Sequence, residues 1–188
     1  MAIGSSSTTG RLIALGALAL AAASCAPTGQ VAPPPSSVRV PAAPMAGIAL
    51  GAARYMELVA SSALFAVRAS ELAQERSQDG RIRALAGTIA SEQGGVGSQL
   101  SYAGRRLDLL PSATLTAEDQ AKLDALAASQ DFDSSWLRSQ ESTMARCSAL
   151  HRDFARSGSS PTLRPVAEMA APVCQRHLAQ IRTLEKSR

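Results

Sequence analysis

Aromatic residues are scarce in this chain, at 3% of 188 positions, and histidine occurs only at His151 and His177. A large antiparallel β-sandwich draws on aromatic and β-branched side chains, so this scarcity excludes that class. Two histidines are too few for a histidine-rich metal centre. The sequence holds no Glu-x-x-His, the motif from which helical bundles build di-iron sites, and no Cys-x-x-Cys redox motif. Gly94-Gly95-x-Gly97 lacks the lysine of a phosphate loop and falls inside a helical pattern. No serine or histidine stands at a spacing that suggests a nucleophile and its base. The net charge of +4 is small, and the arginines are interleaved with carboxylates along every helix. Such charge is a solvated face rather than a nucleic-acid surface. No catalytic residue, metal ligand or cofactor is therefore assigned. What the chain does have is apolar sequence, 46% hydrophobic and rich in alanine, enough to build a core and to exclude wholesale disorder.

The first apolar run, Leu12 to Ala23, follows Arg11. As a helix it would reach only ~18 Å, too short for a ~30 Å hydrocarbon core. A positive flank, a short apolar core and small residues are the layout of a secretory signal peptide. Ala22-Ala23-Ser24-Cys25 resembles the bacterial lipobox, although leucine is commonest where Ala22 stands. That resemblance implies removal of residues 1–24 and lipidation of Cys25, which becomes the first mature residue. The alternative is an ordinary signal peptide cut near Ala23, leaving Cys25 as a free thiol, a liability in an exported protein. Ala26 follows the cysteine instead of aspartate, which by resemblance to Gram-negative lipoproteins implies the outer membrane. Residues 25–44 then carry Pro27, Pro33, Pro34, Pro35, Pro41 and Pro44. Proline fixes φ and lacks an amide donor, so this segment reads as an extended linker between a membrane and a domain spanning 45–188.

Within that domain, apolar positions recur at helical spacing from Met45 to Gln78. Gln78-Asp79-Gly80 breaks the pattern, with Asp79 as the next N-cap. Ile82, Leu85, Ile89, Val96, Leu100, Ala103, Leu107 and Leu110 make a second stripe ending at Pro111. Gly94, Gly95 and Gly97 interrupt it, for close approach of a neighbouring helix or for a bend. Thr116 and Asp119 form a capping box before a short helix. A fourth helix starts near Ser134, and a fifth follows Ser157–Pro161, with Pro172 expected to kink it. The fold class is all-α: a ferritin-like four-helix bundle of two antiparallel hairpins joined by a crossover carrying a short helix.

Cys147 and Cys174 stand symmetrically about the turn near Ser160, on the apolar stripes of the last two helices. In an exported protein the expected state is a disulfide between them. A redox-active pair and a zinc site with His151 and His177 are the alternatives. The spacings put Cys147 with His151, and Cys174 with His177, on one helix face each. The hairpin register, however, sets His151 opposite Ala170 and His177 opposite Met144, so the two imidazoles should diverge.

From about Tyr55 to Leu184 the sequence resembles the bacterial ferritin-like family catalogued as domain of unknown function 4142. The resemblance rests on Leu72-Ala73, Ile82 with Leu85-Ala86, Glu92-Gln93, Leu110-Pro111, Phe132-Asp133 with Trp136, and Pro172 before His177-Leu178. It implies an exported or envelope protein, often a lipoprotein. Members look like they carry Asp-His where this chain has Glu92-Gln93, a second histidine near Met144 and a third at His177. The resemblance thus marks Gln93, Met144 and His177 as a candidate pocket, in which only one of the three histidines remains. A hydrogen-bonded core histidine is the plainer reading of His177. A protein partner or small ligand is not assigned by any of these features.

Overall fold

The computed structural model describes residues 50–188. The expected signal segment 1–24, Cys25 and the expected linker up to residue 44 lie outside the described residues. Five helices make up the described chain: α1 (Ala52–Arg76), α2 (Gly80–Arg105), α3 (Ala117–Ala127), α4 (Phe132–Ser157) and α5 (Arg164–Lys186). Among the described residues there is no strand, and no helix is long and apolar enough to cross a membrane.

α1 packs on α2 and α4, and α5 packs on α4 and α2. Each of these four contacts is antiparallel. Tyr55 and Ser70 of α1 meet His151 and Gln140 of α4, in reverse order, and Arg81 at the start of α2 meets Ser187 just beyond α5. It follows that α2 and α4 run in the same direction on a diagonal, which is the ferritin-like order rather than a simple up-and-down bundle. The chain must retrace the bundle length over 106–131, and α3 packs against α1 and α4 on the way.

Helix boundaries follow local chemistry. Asp79 caps α2 by accepting from the Arg81 N–H, and Asp131 caps α4 by accepting from Ser134. α2 stops at Arg105, short of the expected end at Pro111. The Leu107 and Leu109 N–H groups both turn back to Gly104 O, and Asp108 adopts a φ of 52°. A Cβ on Gly104 would lie 2.2 Å from Leu109 O, so only glycine admits this turn. Leu110 leaves the stripe and is 66% exposed. The α3 cap also differs from a reciprocal capping box. Thr116 accepts from Asp119 N–H, but the Asp119 carboxylate goes to Ser61 and Arg146, and Ser61 Oγ accepts the Thr116 N–H.

Pro172 is carried inside a continuous α5. A Cβ built at Gly94, Gly95 or Gly97 meets nothing within 4 Å, which corrects the expectation of close helix approach there. Gly94 and Gly97 instead line an open groove of ≈ 610 Å³ between α1 and α2. Several arginines are clamps rather than a solvated face. Arg76 donates to Ala127 O and Ser129 O and covers the Phe132 ring, and Arg146 is paired with buried Asp119.

The interior forms two apolar clusters. One holds Phe65, Ile82, Ile89, Trp136, Met144 and Ile181, and the other holds Tyr55, Val59, Val96, Leu100, Phe154 and Leu163. Burying each such side chain is worth roughly 1.5–3 kcal/mol. On α2 the division falls between Ile89 and Val96, and buried Gln93 lies in it.

Candidate functional site

Polar and sulfur-bearing side chains from four helices meet where the two apolar clusters divide. On α4, the three- and four-residue steps of Met144, Cys147, His151 and Phe154 put these residues on one buried face. On α5, Ala170, Cys174, His177 and Ile181 do the same. α2 contributes Gln93 and α1 contributes Tyr55, both buried.

Cys147 and Cys174 are joined by a disulfide across the α4–α5 hairpin, with Cα atoms 6.2 Å apart. On one side of it lies His151. Its donor atom and the two sulfurs lie within 4.8 Å of one another. Tyr55 Oη is 2.8 Å from His151 Nδ1, while His151 Nε2 is buried without a hydrogen-bond partner. Tyr55 itself stacks on Phe154. Burial pushes the His151 pKa down to about 4 and raises that of the Tyr55 hydroxyl, so at neutral pH both are uncharged.

On the other side the Gln93 amide is the hub. Its Nε2 lies 3.7 Å from Met144 Sδ, 3.6 Å from Cys174 Sγ and 3.4 Å from His177 Nδ1. An amide N–H donates, so His177 Nδ1 is the acceptor and its proton sits on Nε2. That nitrogen is 2.9 Å from Glu92 Oε2, close to the carboxylate but not aligned for a hydrogen bond. Burial lowers the His177 pKa, and the Glu92 carboxylate opposes the shift without cancelling it. Burial raises Glu92, but Arg176 and His177 outweigh it and hold the carboxyl below its ordinary value.

The structure therefore brings Gln93, Met144 and His177 together. It also brings together three of the four residues of the zinc alternative, because Cys147, His151 and Cys174 converge. His177 does diverge from His151, with the disulfide and the Gln93 amide between them. Cys174 belongs to both halves. Tyr55 is the residue that sequence reasoning passed over. It lies 96 positions from His151, and nothing along the chain marks the pair.

A ferritin-like bundle enclosing a disulfide between two buried imidazoles is the class of protein that fold and site define. The family model described as a domain of unknown function (DUF4142) matches residues 38–184, and the chain belongs to that family. Among solved structures, the one described as CopM in the Cu(II)-bound form has a similar fold, with a TM-score of 0.63 at 14% identity. The alignment covers 74% of this chain and 99% of that one. At that identity the likeness concerns the fold alone. No curated protein matches the chain.

Proposed function

We propose that the protein is an exported lipoprotein, held at a membrane by a lipid on Cys25, whose bundle serves a structural, binding or envelope-stress role rather than catalysing a reaction. The observation that carries the non-catalytic reading is the Gln93 amide, which donates into the space among Met144, Cys174 and His177. Beside it Cys147 and Cys174 are bonded to each other, and His151 and His177 are fully buried. The tether is supported by the signal-like segment, the small residues before Cys25 and the proline-rich stretch after it. Ala26 after the cysteine favours the outer membrane, with the bundle in the periplasm. Substituting Cys25→Ser tests the anchor: the protein should leave the membrane fraction, and unchanged fractionation would refute lipidation.

A second reading, a metal or redox protein using Gln93, Met144 and His177, is favoured by the fold likeness to a protein described in a Cu(II)-bound form. Metal analysis of the purified protein separates the two. Stoichiometric copper, iron or zinc that disappears in His177→Ala would replace the non-catalytic reading with this one.

A further inference from the structure

We propose that Cys147, Cys174 and His151 form a redox-gated site for a soft monovalent cation of the Cu(I) type, closed while the disulfide stands and open once it is reduced. This deepens the binding reading above by naming the ligand and its control.

Three observations meet here. The two sulfurs and the His151 donor lie within 4.8 Å of one another, close enough to share one ion after a small adjustment. His151 Nε2 is completely buried and has no hydrogen-bond partner. Tyr55 Oη lies 2.8 Å from Nδ1, as an outer-shell group does for a ligating imidazole; the tautomer with Nδ1–H donating to the Tyr55 oxygen is the one that frees the Nε2 lone pair for a cation. Thiolates with an imidazole select soft cations. Three converging donors suit trigonal Cu(I) better than Zn(II), which takes a fourth ligand in its structural sites.

The groove between α1 and α2 reaches toward the sulfurs from the Gln93 side. Gln93 lines that groove, and its amide is 3.6 Å from Cys174 Sγ. Pro172, two residues before Cys174, removes the N–H that would bond Glu168 O, so α5 opens most readily beside the site. The chemistry balances with a small dithiol as reductant. It gives two electrons and two protons to the Cys147–Cys174 bond, yielding two thiols, and is itself oxidised to a disulfide. When the cation enters, the two thiol protons leave to solvent and two thiolates and His151 hold it.

The test uses the full-length Cys25→Ser chain, in which Cys147 and Cys174 are the only cysteines. It is titrated with Cu(I) against a chromogenic Cu(I) chelator, before and after reduction by a dithiol. The expected result is one Cu(I) held per reduced chain and none per oxidised chain. X-ray absorption at the copper edge should show two sulfur neighbours and one nitrogen, and needs no further substitution. His151→Gln should weaken binding on the order of tenfold or more and remove the nitrogen neighbour, with exposed Arg138→Ala leaving binding unchanged. Equal binding by the oxidised chain, no stoichiometric binding after reduction, or a copper edge without two sulfurs would overturn the proposal. Copper held by the oxidised chain and lost in His177→Ala would likewise overturn it, in favour of the Gln93 pocket. Membrane release by Cys25→Ser is scored separately, so the anchor and the metal site fail independently.

Discussion

His151 is neutral in the fold because burial strips water from its charged form; its neighbours include Tyr55 from α1 and the disulfide sulfurs from α4 and α5. Its pKa falls from 6.5 to about 4 on folding, so the native chain binds fewer protons than the unfolded one. Stability from this group is fully present above pH 6.5 and is lost as the pH falls toward 4. The loss amounts to about 3 kcal/mol, because each tenfold weakening of proton binding on folding is worth about 1.4 kcal/mol. Urea unfolding at pH 7 and pH 4 should show a steeper decline for the native chain than for His151→Gln. Equal declines would remove His151 from the acid response. The glycines of α2 give a second residue-scale test. Gly94→Ala and Gly97→Ala add a methyl group into open groove and should each raise stability by up to about 1 kcal/mol. Gly104→Ala pushes a Cβ against Leu109 O and should lower the melting temperature instead.

Helix α3 is held at the element scale by a carboxylate rather than by a large apolar face. Asp119 is 1% exposed and accepts from Ser61 of α1 and Arg146 of α4, so one side chain binds the crossover to two helices. Burial raises its pKa, but Ser61 and Arg146 outweigh it and hold the group below the ordinary carboxylate range. Asp119→Ala removes the acceptor of buried Ser61 while partly exposed Arg146 keeps Glu118, so the substitution should cost about 2 kcal/mol. A double-mutant cycle with Arg146→Ala should give a coupling energy well above the ~0.5 kcal/mol of an exposed pair. The starts of α2 and α3 were legible because Asp79 and Thr116 cap through their own neighbours along the chain, whereas α4 begins at Phe132, two residues before the expected Ser134, on a cap by Asp131. The end of α2 was not, because the apolar steps run on through Leu107 and Leu110 while the Gly104 turn diverts the backbone. The destination of the Asp119 side chain was hidden for a related reason: Ser61 and Arg146 are 58 and 27 positions away.

For the whole molecule, the order of helices could be read from the length of the crossover, and the pairing of Cys147 with Cys174 from symmetry about one turn. The register of the α4–α5 hairpin could not reveal the rest of the site, because Gln93 from α2 and Tyr55 from α1 complete its two halves. The disulfide closes a sequence separation of 27, for which the chain-entropy relation gives about 3–4 kcal/mol. Replacing Cys147 and Cys174 with alanine together should lower urea stability by that amount and leave the helical circular dichroism intact.

The ferritin-like order has a mechanical consequence. The bundle begins beside the α4–α5 turn, where the Ala52 N–H reaches Ser159 Oγ, and ends beside the start of α2, where Ser187 meets Arg81. Entrance and exit of the chain therefore lie at opposite ends, separated by about 37 Å, the length of a 25-residue helix. Tension applied between them acts along the helix axes and shears the interior instead of peeling one helix away. The 27-residue segment closed by the disulfide withholds roughly 90 Å of contour from any such stretching, so a reductant would change how far the molecule extends under load.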